Sequence, residues 1–185
     1  MANKPTLQEH RQALANNDSR YEHDIKRAID TWVNKHAYQY YQKVFFQHPL
    51  KKQKLKLELK EYLTEMAELV FDAQGRRPLF EIEDRVYAWN APKGFDKDYI
   101  LYETGHLKPR NSGGDSRPEN LCFQSARCNQ HIQSALPIEE VMFLIGDHHL
   151  EIRNRISSLE ALHNSDSWSE IKEKIVALTA VQGRM

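Results

Sequence analysis

The residues most able to do chemistry lie in one short stretch of the chain. His106 follows a β-prone run, and a loop containing Gly113 and Gly114 comes after it. Asn120 stands fourteen residues after this histidine, and Asn129 nine residues further on, where the pattern predicts a helix. A neutral imidazole can take a proton from water near pH 7. An amide oxygen is a neutral ligand for hard cations such as Mg²⁺ or Mn²⁺.

The order of these residues resembles that of the HNH, or ββα-metal, nucleases. In that family a strand ending in histidine leads through a loop to a short strand beginning with Asn-Leu, and then to a helix with a metal ligand. The set Gly105-His106, Asn120-Leu121 and Asn129 looks most like the variants with asparagine at the third position, which include nonspecific nucleases with a Gly-His core. The resemblance covers residues 99–135, about a fifth of the chain, and order and spacing carry it.

The resemblance implies a role for each residue. Phosphodiester hydrolysis needs an activated water, a cation on the scissile phosphate and stabilisation of the leaving oxygen. His106 would be the general base, and Asn129 would bind Mg²⁺ or Mn²⁺. Asn120 matches the asparagine that ties the family's loop together by hydrogen bonds and orients the histidine.

The sequence departs from the family pattern in two places. Many members carry aspartate or histidine immediately before the base, as a second metal ligand, and here that position is Gly105. Either Asn129 is the only direct protein ligand, or Glu103 or His131 contributes. The Gly-His variants also often carry Asp-Arg before Gly-His, where this chain has Glu103-Thr104.

Positive side chains near the motif are predicted to contact phosphates, because they outnumber the carboxylates there. They are Lys108, Arg110, Arg117 and Arg127. A second group, Lys51, Lys52 and Lys54, belongs to a run over residues 43–60 in which six lysines face one glutamate, for a local net charge of +5. This run is either a solvated helix face or a basic stripe that follows phosphates.

Composition excludes several classes. The 185 residues contain 26 Lys+Arg and 26 Asp+Glu, so a protein that holds nucleic acid by bulk charge is disfavoured. Cys122 and Cys128 are too few for a disulfide framework or a four-cysteine zinc site, and they are expected to be buried thiols. No apolar run approaches the ~20 residues that span a bilayer, and residues 1–12 lack the apolar core of a signal peptide. We therefore expect a cytoplasmic protein that does not enter membranes.

Apolar residues at intervals of three and four predict two long amphipathic helices, over residues 20–47 and 50–72. Pro49 should end the first and Gly75 the second. Short β-prone runs follow, and helices return after Asn120. The β-prone runs are residues 79–83, 86–89 and 99–102, and the later helices cover residues 120–135 in part, 137–159, and 168–181 with Asp166 or Ser167 as the cap.

These patterns predict an α+β fold that is mostly helical, and the resemblance implies that residues 76–136 form a small ββα-metal core. Helical regions at residues 1–75 and 137–185 would flank it within one compact domain. The predicted function is a metal-dependent endonuclease acting on DNA, with RNA not excluded. A restriction endonuclease would favour a homodimer, and a phage, mobile-element or toxin nuclease fits as well. The alternatives are an inactive ββα scaffold that only binds nucleic acid, and a helical interaction protein.

Overall fold

The computed structural model describes residues 19–46, 48–79, 102–125, 129, 133, 136–145 and 150–183. The strand predicted at residues 86–89 lies outside these residues, as does most of that predicted at 79–83. Arg127, Cys128 and His131 also lie outside them.

Helices make up most of the described residues. The first, α1 (Ser19–Thr31), continues through a π-helical stretch (Trp32–Ala37), a single α-helical turn (Tyr38–Tyr40) and a second π-helical stretch (Tyr41–Phe45). We call these four the N-terminal helical segment. The other helices are α2 (Gln53–Ala73), α3 (Ile138–Ile145), α4 (Leu150–His163) and α5 (Asp166–Gly183).

The N-terminal helical segment confirms the helix predicted from residue 20, and it ends at Phe45, shortly before Pro49. Its apolar face carries the fully buried Trp32 and, one residue on, Val33. The two π-helical stretches were not predicted, because the sequence pattern was interpreted with the regular 3.6-residue period. Such wide turns are uncommon and occur frequently at functional sites.

The second predicted helix is also confirmed. Its expected apolar stripe is buried along the whole of α2, and the stripe consists of Leu55, Leu59, Leu63, Met66 and Val70. The helix stops where Gly75 adopts φ +67°, with its N–H donated to the carbonyl of Asp72 at 2.8 Å. A left-handed residue at this point is the usual glycine stop of a helix.

A two-stranded antiparallel sheet follows, made of β1 (Tyr102–His106) and β2 (Leu121–Ser125). Its register pairs His106 with Leu121. Successive side chains of a strand point to opposite faces. Thr104 and His106 therefore share the face toward the N-terminal helical segment, where the Thr104 hydroxyl donates to the carbonyl of Ala28 at 3.3 Å.

The buried side chain of Gln74, just past α2, holds the sheet to the helices. Its Nε2 donates to the carbonyl of Phe123 at 2.8 Å, and its Oε1 accepts the Phe123 N–H at 2.9 Å. The Phe71 ring packs edge-on against the rings of Tyr102 and Phe123. The hairpin is therefore fixed to α2 by both polar and apolar contacts.

The C-terminal helices pack on α2 and reach back to the loop between the strands. The Nζ of Lys172 on α5 lies 2.7 Å from the Oε1 of Glu119, which also accepts a hydrogen bond from the indole of Trp168. The predicted cap of this helix, Asp166 or Ser167, is wrong: the Ser165 hydroxyl accepts the N–H of Trp168 at 3.3 Å.

The described residues thus form a mostly helical α+β fold with one small antiparallel sheet. None of the helices in the described part of the chain is both long enough and apolar enough to cross a membrane.

Candidate functional site

Asn120 closes the loop between β1 and β2. Its Oδ1 accepts the N–H of Lys108 at 2.8 Å, and its Nδ2 donates to the carbonyls of Lys108 at 2.9 Å and Asp115 at 2.6 Å. One side chain therefore joins three backbone groups at the two ends of the loop. Gly114 allows this closure, because a Cβ there would lie 1.9 Å from the Lys108 oxygen.

His106 ends β1 and is held by the same loop. Its Nε2 lies 3.0 Å from the hydroxyl of Ser116, which also accepts a hydrogen bond from Nη2 of Arg110 at 2.6 Å. A serine oxygen can accept two hydrogen bonds. When the imidazole carries its proton on Nε2, the Ser116 oxygen accepts this hydrogen bond as well as that from Arg110, and Nδ1 is left to take a proton from water.

The pKa of His106 is lowered from 6.5 to about 4. Burial is the main cause, because it disfavours the charged ring. The positive charge of Arg110 lowers the pKa further, and Asp115 opposes it. The ring is therefore neutral at pH 7, in the form that a general base requires.

The Arg110 charge gives a testable pH dependence. With His106 as the base, kcat/KM should fall as the pH drops through about 4. This acidic limb of the pH profile reports the pKa of the base in the free protein. Arg110→Gln removes a positive charge that disfavours the imidazolium, so the limb should move to higher pH while burial keeps it below 6.5. Lys108→Gln, which removes an exposed charge, should leave the limb in place. An unmoved limb in Arg110→Gln would refute the assigned cause.

His36, on the N-terminal helical segment, is a second histidine at the site. Its ring stands edge-on to that of His106, with the centroids 5.1 Å apart. Burial, followed by the His106, Arg110 and Lys35 charges, lowers the pKa of His36 to about 4. No sequence pattern marks this residue, because it is far from the motif along the chain and only the packing of the helix on β1 brings it there.

Glu103 and Asn129 meet on the other face of β1. The Nδ2 of Asn129 donates to Oε2 of Glu103 at 3.1 Å. Because the amide nitrogen faces the carboxylate, the amide oxygen of Asn129 is the atom left for a cation. A carboxylate and an amide oxygen suit Mg²⁺, which takes few protein ligands and keeps several waters. In the described ranges, no three His, Cys, Asp or Glu residues form a metal-binding group.

Gln124 and Gln133 support this face and were missed by the sequence reasoning. The buried Gln133 donates from Nε2 to the carbonyls of His106 at 2.7 Å and Leu107 at 3.1 Å, and its Oε1 accepts from Gln124. The Gln124 side chain covers Gly105, where a Cβ would lie 2.8 Å from it. The space in which a side chain at position 105 would begin is therefore filled by Gln124.

The two halves of the site lie on opposite faces of one strand. Glu103 and His106 are three residues apart on β1, which is about 10 Å along a strand that rises ~3.3 Å per residue. The outer edge of β1 lies between the two faces, because β2 is its only partner within the described residues.

The predicted phosphate contacts differ in their surroundings. Arg110 reaches the histidine through Ser116, whereas Arg117 forms a two-point contact with Asp115 of its own loop, at 2.7 Å for Nη2. Lys108 and Arg117 line a depression of about 360 Å³ beside that loop. The second group is exposed at the start of α2, and it consists of Lys51, Lys52 and Lys54.

Cys122 confirms the expectation of a buried thiol. It is fully buried on β2 and forms no disulfide. Burial raises its pKa to about 12. A thiol in this state is neither a nucleophile nor a ready metal ligand, because both roles require the thiolate.

Comparisons of the chain with models of protein families, with curated proteins and with solved structures find no match.

Proposed function

We propose that the protein is a metal-dependent nuclease that hydrolyses phosphodiester bonds of DNA, with His106 as the general base. The observation that supports this most is the hydrogen-bonded frame around that residue. Ser116 holds Nε2 and Asn120 closes the loop, while the ring stays neutral near pH 7. A histidine in such a frame is suited to proton transfer.

Cation binding is assigned to the residues on the opposite face of β1. The oxygens of Glu103 and Asn129 would hold the cation, and His131 stays a candidate ligand. Glu103 also lines the cleft that contains His36, so a Mg²⁺ or Mn²⁺ held at this edge of β1 would supply positive charge to the scissile phosphate and its leaving oxygen. His106 takes a proton at Nδ1 from the water whose oxygen attacks phosphorus, while Arg110 and Lys108 attract the phosphate backbone.

A supercoiled plasmid tests the activity and the metal ligand together. We expect nicked and linear DNA with Mg²⁺ or Mn²⁺ and none with EDTA. Asn129→Ala should need at least about 10-fold more metal for half-maximal rate, since even residues behind the ligands change affinity 10–100-fold. Asn111→Ala, which removes an exposed amide from the loop, is the matched control and should behave as wild type.

The products distinguish the biological roles. Discrete fragments would indicate a restriction-type endonuclease, and a smear would indicate a nonspecific nuclease of phage or toxin type. If the wild-type protein shifts DNA on a gel but never cuts DNA or RNA, the nuclease proposal fails in favour of an inactive binding scaffold. Cleavage that persists in EDTA would refute the role of the cation.

A further inference from the structure

A cleft of about 420 Å³ lies between the N-terminal helical segment and β1. The helical wall contributes Arg27, Thr31 and Lys35, which recur every four residues and therefore form one stripe. The opposite wall is β1 itself, including Glu103. The cleft is small, so it suits the backbone of one nucleic-acid strand better than a whole duplex.

The described lining of the cleft carries more positive than negative charge. Arg27 and Lys35 are exposed and positively charged, and His36 beside them is neutral near pH 7. Among the described residues that line the cleft, Glu103 is the only carboxylate. Its Oε2 is already engaged by Asn129, and a cation bound there would offset its charge. The described lining of the cleft therefore carries two cationic side chains and one carboxylate.

The walls of the cleft touch both halves of the site. The ring of His36 contacts that of His106, and Glu103 contacts Asn129. These halves occupy opposite faces of β1, so a nucleic-acid strand that reaches both must pass the outer edge of β1. The cleft between the N-terminal helical segment and β1 lies on this path.

We propose that this cleft binds a backbone phosphate of the nucleic-acid strand that is cut, next to the scissile phosphate, through Arg27 and Lys35. The inference rests on the proposed nuclease function and adds the N-terminal helical segment to the substrate-binding surface. The contact between His36 and His106 then has a role, because it fixes the distance between the stripe of Arg27 and Lys35 and the general base.

The salt dependence of DNA binding tests the assignment. Binding of a fluorescein-labelled duplex of mixed sequence is measured by anisotropy in EDTA, which prevents cleavage, over a range of salt concentrations. Each phosphate contact contributes about 0.9 to the slope of log K against log salt. Arg27→Gln/Lys35→Gln should therefore lower the magnitude of the slope by nearly 2, and in the cleavage assay KM should rise more than kcat falls.

Two further variants make the result specific. Lys26→Gln/Lys174→Gln removes the same charge from exposed positions outside the cleft and should keep the wild-type slope. Arg27→Lys/Lys35→Arg keeps the charge and should restore binding. If the cleft variant matches the Lys26/Lys174 control while wild type cuts DNA, this inference fails and the nuclease function stands. If wild type neither binds nor cuts nucleic acid, both fail.

Discussion

Replacing His106 with alanine should lower the rate of metal-dependent plasmid cleavage by about 10²–10⁴-fold, the usual contribution of a general base. The neighbouring groups cannot substitute for it. Ser116 and Arg110 carry no basic site near pH 7, and the Nδ1 atom of His36 is buried away from water. DNA binding in EDTA should change little, because the neutral imidazole contributes no charge to phosphate binding.

The comparison that isolates this effect is His48→Ala, which removes an exposed histidine from the chain and should cut plasmid at the wild-type rate. Thermal melting of both variants checks that they are folded. A His106→Ala protein that melts normally and cuts within a few-fold of wild type would exclude His106 as the base, even if the metal requirement persists.

Gly114→Ala should disrupt the loop without any substrate present. The added Cβ would lie 1.9 Å from the Lys108 carbonyl oxygen, which is backbone and cannot rotate away. Relief requires the loop to open, which breaks the three hydrogen bonds of Asn120. At about 1 kcal/mol net for each, the free energy of unfolding should fall by about 2–4 kcal/mol, measured by urea denaturation.

The adjacent glycine gives a matched control. Gly113 has φ +83°, but a Cβ there would make only ordinary contacts, 3.9 Å or more from the flexible Lys108 side chain, and asparagine tolerates left-handed backbone. Gly113→Asn should therefore cost less than about 1 kcal/mol. If Gly114→Ala is as stable as Gly113→Asn, the loop does not have the closed form in which Asn120 binds Lys108 and Asp115.

The sequence predicted the helices well, because burial of an apolar stripe leaves a clear periodic pattern. Residues from Leu55 to Val70 illustrate this in α2. The pattern did not predict the wide turns after Thr31, which change the hydrogen bonding but not the overall amphipathic character. The cap of α5 was missed by one to two residues, since Ser165, Asp166 and Ser167 all have side chains that can cap.

The site was predictable only in part. The family resemblance implied that Asn120 ties the loop after His106, and a local motif can carry this because both residues belong to the same hairpin. The contact between Glu103 and Asn129 brings together two of the residues proposed to bind the metal. His36 and Gln133 could not be assigned from sequence, because their positions depend on how helices pack against β1.

The contacts of Gln74 determine whether the hairpin could keep its structure outside this protein. Its amide pairs with the backbone of Phe123 as a neighbouring strand would. A side chain just past the end of α2 therefore completes the hydrogen bonding of the sheet. A hairpin excised at residues 102–125 would leave the Phe123 N–H without this partner and expose the rings that pack on Phe71. The hairpin therefore depends on contacts from outside its own residues. A graft of its loop onto another scaffold would also have to include the end of α2.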